Sequence, residues 1–143
     1  MTRPFRQIIR FALSLLALLA LSSFSYAELK GVTPTQLQEM IDRGVPVIDI
    51  RTPQEWQQTG IIPESKTLMF FDSKGNYDTA SWLASFRQLV ADENQPFVLV
   101  CRSGNRTGKV GTFLADQMKM SQVYHLKGGI NDWRRQQLQV TAP

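Results

Sequence analysis

Phe97-Val98-Leu99-Val100 is a run of four apolar residues between Pro96 and Cys101. A strand with no polar side must be covered on both faces, as a central strand of a parallel sheet is when helices lie above and below it. The rest of the chain supplies that setting. Val45 to Ile50, Thr67 to Phe71 and Val123 to Leu126 read as further strands. Thr33-Pro34-Thr35-Gln36 predicts a helix start, with Thr33 as cap, Pro34 at the first position and Gln36 closing a capping box. Val32 and Leu37 are spaced for a hydrophobic staple, and Gly44 supplies the stop. Thr52-Pro53-Gln54-Glu55 repeats the signal for a short helix ending near Gly60. Asp78 caps a helix through about Val90 with Trp82, Phe86 and Leu89 facing the core. Arg106 to Met120 presents Val110, Phe113, Leu114 and Met118 as one stripe, and Ile130 to Gln136 forms the last helix. The prediction is an α/β domain with a mostly parallel central sheet of about four or five strands, flanked by helices on both faces.

The first 27 residues do not belong to that pattern. Arg3, Arg6 and Arg10 precede an uncharged, Leu-rich run from Phe11 to Leu21, and Ser25-Tyr26-Ala27 fits the small-x-small cleavage rule. The expected organisation is a signal peptide over 1–27 and a single domain over 28–143. The apolar run is much shorter than the roughly 20 residues of a membrane span, so membrane contact is expected only through an uncleaved signal. Export, to a bacterial periplasm, is the expectation that the look of this segment supports. Its three arginines also account for most of the net charge of +4. Without them, 13 basic residues face 12 acidic ones, which leaves no basic footprint for nucleic acid.

With one cysteine the exported domain can form no internal disulfide. A lone thiol in an oxidising compartment is either buried or used. The neighbours of Cys101 favour use: a strand ends, Cys101 follows at once, and Arg102-Ser103-Gly104-Asn105-Arg106 leads into a helix. Gly104 and Asn105 tolerate the left-handed backbone that curls successive N–H groups inward, and a helix N-terminus favours an anion. Arg102 and Arg106 add positive charge. Each factor favours thiolate over thiol, so the expectation is a reactive, solvent-facing nucleophile that needs no general base. His125, the one histidine, is distant in sequence and reads as structural.

The strand, the loop Cys101-Arg102-Ser103-Gly104-Asn105-Arg106-Thr107 and the helix resemble the active-site loop of rhodanese-type sulfurtransferases. Val47-Ile48-Asp49-Ile50-Arg51 with Glu55 and Gly60-Ile61-Ile62-Pro63 is similar to the family's first motif. Leu126-Lys127-Gly128-Gly129-Ile130 with Trp133 is similar to its closing motif. Two positions depart: Ile61 stands where a His is common, and Glu64-Ser65 where a small Gly-Ala pair is. The resemblance implies a rhodanese-like fold and a thiosulfate sulfurtransferase with Cys101 carrying a persulfide. It further implies Arg102, Ser103, Gly104, Asn105 and Arg106 as the cradle, with Arg102 and Arg106 attracting a small anionic sulfur donor such as thiosulfate. The acceptor would be cyanide, a thiol or a protein, with no cofactor.

Two other readings stand beside it. Phosphatases and arsenate reductases place Arg six residues after the Cys, where this chain has Thr107; a non-turnover module could instead deliver sulfur to, or bind, a partner. Asp49 and Arg51 are expected to support structure, by pairing near the sheet's end. One Cys and one His offer no metal constellation.

Overall fold

The structure is a computed structural model that describes residues 27–143, so the expected signal lies, apart from Ala27, outside the described residues. Five strands form one sheet: β1 (Lys30–Val32), β2 (Val47–Asp49), β3 (Lys66–Thr67), β4 (Phe97–Val100) and β5 (Val123–Leu126). Five helices alternate with them: α1 (Pro34–Asp42), α2 (Pro53–Thr59), α3 (Thr79–Leu89), α4 (Asn105–Asp116) and α5 (Gly129–Arg135). The strand order is β1-β5-β4-β2-β3, and every pairing is parallel. The expected sheet was mostly parallel; it is wholly so among the described residues. No helix among them is long and apolar enough to cross a membrane.

Strand β4 shows why its sequence has no polar face. Its side chains alternate between two cores, because successive residues on a strand point to opposite sides. Phe97 and Leu99 enter a cluster with Trp82, Leu83 and Phe86 of α3 and Val110 and Leu114 of α4. Val98 and Val100 enter the other, with Leu37 and Met40 of α1 and Ile130 and Trp133 of α5. Cys101 continues the first set.

Local signals hold the helix starts. Thr33 and Gln36 form a complete capping box on α1, and Thr52 and Glu55 do the same on α2. Asp78 accepts the Ser81 N–H at the start of α3. A cap of this kind contributes about 1 kcal/mol.

Three expectations are corrected. Strand β1, to which no element was assigned, consists of Lys-Gly-Val, too short and mixed to show a period; it forms because β5 offers it a partner. The strand expected over Thr67 to Phe71 is only Lys66–Thr67, although Leu68 and Phe70 N–H still donate to Asp49 and Ile50 carbonyls. Leu89 lies at the exposed end of α3, 37% accessible, instead of in the core.

Beyond β2 the chain places a buried ion pair, Arg51 Nη2 to Asp49 Oδ2 at 2.6 Å, with both side chains fully inaccessible. Two buried charges are costly to desolvate, so the remaining hydrogen bonds decide whether the pair is tolerable. Here they are made. Arg51 also donates to Thr59 Oγ1 at 2.7 Å and Gly60 O at 2.9 Å, and Trp56 Nε1 donates to Asp49 Oδ1 at 3.2 Å. Helix α2 buries none of its own residues, so this network ties it to the sheet. Arg51→Ala leaves Asp49 charged and unpaired, and should lower unfolding free energy by about 3–5 kcal/mol in a urea titration.

Candidate active site

Strand β4 delivers Cys101 to the carboxyl end of the sheet, and the next turn is built from glycine. Gly104 has φ +89° and serves as the N-cap of α4 without a side-chain cap. A Cβ there would collide with the Lys127 carbonyl oxygen, so both conformation and space require glycine. The opposing loop makes the same demand: Gly129 has φ +61°, and a Cβ on it would strike the Arg102 carbonyl. Backbone therefore packs on backbone. Across this contact Ile130 N–H donates to Cys101 O at 2.9 Å, and Asn131 N–H to Arg102 O at 3.1 Å. The first turn of α5 thus takes up the loop's carbonyls.

With that side of the loop engaged, the Gly104 N–H turns inward and donates to Cys101 Sγ at 3.2 Å. It is the one loop amide, among the described residues, within hydrogen-bond reach of the sulfur. Thr107 Oγ1 lies 3.5 Å from the same sulfur. The expectation of a solvent-facing thiol is corrected: Cys101 is 0% accessible. Its side chain follows the β4 alternation into the core cluster that α3 and α4 line. Arg102, Ser103 and Asn105 are exposed on the loop's outer surface, and Gly104 is buried. The open grooves lined by Phe70 and Tyr77 do not include Cys101.

The two loop arginines have different surroundings. Arg106 is engaged by Glu55 through two hydrogen bonds, Nη1 to Oε2 at 2.9 Å and Nη2 to Oε1 at 2.5 Å. A fork-to-fork pair of this kind fixes orientation as well as charge. Burial acts to raise the Glu55 pKa, but the Arg106 hydrogen bonds and charge, with the Thr52 N–H, bring it down to about 2. The Glu55 hydrogen bond correspondingly raises Arg106. The Arg106 charge is therefore largely matched, and Arg102 is the loop arginine left exposed. Asp49 and Arg51 stand behind this pair: their network holds α2, which carries Glu55.

Sequence reasoning did not single out three contributors to the site. Thr107 was read as the end of the cysteine loop and as the residue that is not Arg, whereas its hydroxyl lies 3.5 Å from the sulfur. Glu55 was legible as a cap, but its tie to Arg106 spans 51 positions. His125 Nδ1 lies 3.0 Å from Thr107 Oγ1. The β4–β5 register pairs Leu99 with His125, placing His125 on the same sheet face as Cys101. A period-2 reading of both strands could have found it, had the register been known.

The described geometry agrees with comparison to known proteins. The family model described as Rhodanese-like domain matches residues 33–136. The thiosulfate sulfurtransferase GlpE of Pseudomonas syringae is 31% identical over 115 residues, 80% of this chain and 96% of that protein. The protein of the same name from Ectopseudomonas mendocina is 33% identical over 108 residues, 76% and 87% of the two chains. In fold, a rhodanese-related protein from Thermoplasma volcanium superposes with a TM-score of 0.60 at 22% identity, covering 80% of this chain and 99% of that one.

The Glu55 shift fixes the sign of an acid dependence. A carboxylate with a depressed folded-state pKa contributes stability that is fully present above its ordinary value of 4.5 and is lost as pH falls towards about 2. Unfolding free energy measured between pH 5 and pH 2 should fall less steeply in Glu55→Gln than in the parent, the pair being partly exposed and the difference modest.

Proposed function

The chain belongs to the rhodanese-like domain family, and from that membership we propose that it is a sulfurtransferase, moving a sulfane sulfur from thiosulfate or a similar anionic donor to a thiophilic acceptor through a persulfide on Cys101. The observation that carries this reading is the Gly104 N–H donating to the Cys101 sulfur at 3.2 Å, which sets the sulfur at the amino-terminal end of α4.

The first step forms a bond between Cys101 Sγ and the outer sulfur of thiosulfate. The bond between that sulfur and the sulfonate breaks, and its electron pair leaves with sulfite. The thiolate and the dianion thus become a persulfide anion and sulfite, with charge conserved. In the second step cyanide or a thiolate attacks the outer sulfur of the persulfide, returning Cys101 as thiolate. Each half-reaction leaves before the next begins, so ping-pong kinetics are expected. Exposed Arg102 is the side chain placed to attract the donor's charge, and Ser103 and Asn105 line the outer loop. Because Cys101 is fully covered, the groups over it must shift for a donor to reach in-line geometry.

That cover also favours a second reading: sulfur delivery to a partner protein that opens the loop, with slow turnover on small donors. The phosphatase reading has less support, because Thr107 is buried against the sulfur at the position those enzymes give to arginine.

Incubating the domain with thiosulfate should add one sulfur to its intact mass, and cyanide should remove it. Cys101→Ser should melt like the parent and gain no sulfur, since a hydroxyl is not ionised at neutral pH. No mass gain with thiosulfate, combined with phosphate release from an aryl phosphate, would overturn the assignment. Stable persulfide with slow cyanide turnover would select the delivery reading. Export is part of the same proposal, resting on the amino-terminal pattern: periplasmic extracts of an expressing bacterium should contain a form beginning at Glu28, whereas the intact chain in the cytosol would count against it.

A further inference from the structure

A buried sulfur poses a problem that the fold itself addresses: its proton needs a route to water. Cys101 is 0% accessible, yet Sγ lies 3.5 Å from Thr107 Oγ1, and that oxygen lies 3.0 Å from His125 Nδ1. The opposite ring nitrogen, Nε2, has no hydrogen-bond partner among the described residues. No buried side-chain nitrogen or oxygen there lacks one, so Nε2 reaches solvent. The three groups form a line from the enclosed sulfur to the surface.

We propose that Thr107 and His125 are a proton relay for Cys101, with His125 acting on the sulfur through the Thr107 hydroxyl. This role rests on the sulfurtransferase reading for its purpose, not for its geometry. The Cys101 S–H bond breaks as its proton passes to Thr107 Oγ1; the proton already on Oγ1 passes to His125 Nδ1. The products are a thiolate and an imidazolium, which releases its Nε2 proton to water. One proton has left the site, and no oxidant or reductant is involved. Thr107 has a single proton and two acceptors for it, Gly104 O at 3.2 Å and Nδ1 at 3.0 Å. The shorter contact is the productive one, and it requires the neutral tautomer with hydrogen on Nε2.

The surroundings keep His125 in that neutral state. Burial, with the Lys127 charge at the end of its own strand, lowers its pKa below the ordinary 6.5. On α4 it meets Thr107, with Cys101 beyond; on β1 it meets Gly31, whose neighbour Lys30 lies over the Tyr124 ring instead. No carboxylate is among the groups found to shift it, so nothing there favours the imidazolium at neutral pH. His125 is a positioning residue: it does not touch the sulfur, and its effect must vanish when Thr107 loses its hydroxyl.

Iodoacetamide alkylation of Cys101, followed by mass against pH, tests the relay without any sulfur donor. In the parent the rate should show an inflection on the acid side of pH 7, where protonation of His125 blocks it as an acceptor. His125→Gln should remove the inflection and slow alkylation at pH 7 roughly a hundredfold, the low end of what a positioned base contributes. Thr107→Val should do the same with His125 present, and Thr107→Ser should restore the parent profile. Should His125→Gln fail to melt cooperatively, the Thr107 pair decides alone. Superimposable profiles for parent and folded variants, or a parent profile without the acid-side inflection, overturn the relay. The two proposals separate cleanly: unchanged alkylation with intact sulfur gain from thiosulfate removes the relay alone, whereas the inflection without sulfur gain removes the sulfurtransferase reading alone.

Discussion

The site depends on a contact between two stretches of bare backbone. Gly104 faces the Lys127 carbonyl and Gly129 faces the Arg102 carbonyl, with no side chain between them. Only this approach lets the first amides of α5 bond the carbonyls of Cys101 and Arg102. Once those carbonyls are engaged, the peptide plane that follows turns its N–H towards the sulfur. A single methyl at either glycine would wedge the loops apart and meet a left-handed backbone as well, a strain of about 1–3 kcal/mol before any collision is counted. The distant closing motif is therefore part of the cysteine loop in space.

Around that contact the charges form a hierarchy. The Asp49–Arg51 pair is fully buried and spends its hydrogen bonds on Trp56, Thr59 and Gly60, fastening α2 to the sheet. Helix α2 then presents Glu55 to Arg106, which fastens the start of α4. The inner pair sits where water cannot compete, and the outer pair is partly screened. Together they brace the loop from the side opposite α5. Arg106, which as a sequence looked like an anion receptor, is in place an anchor.

The enclosed sulfur changes how reactivity is understood here. A thiol on a surface loop exchanges protons with water directly; Cys101 cannot, since its side chain points into the α3–α4 core. An amide from Gly104 donates to the sulfur, and a hydroxyl and an imidazole lie beyond it at hydrogen-bond distances. Burial excludes competing oxidants at the same time, which matters for a chain with a single cysteine. Enclosure and reactivity are compatible when the groups that stabilise charge are enclosed with it.

Much of this architecture was local and so could be read along the chain. The four apolar residues of β4, the two Thr-Pro-x-Gln/Glu helix starts and the glycine after Cys101 each act over a few residues, through strand periodicity, capping and allowed φ. They determined the fold class and the position of the sulfur. The tertiary structure decided what no local pattern encodes: that β1 pairs with β5, that Arg106 meets Glu55, that His125 reaches Thr107, and that the thiol faces inward. Each of these depends on strand order and register, which bring together residues from 18 to 94 positions apart. Propensity acts between neighbours in sequence, whereas charge pairing and burial act between neighbours in space.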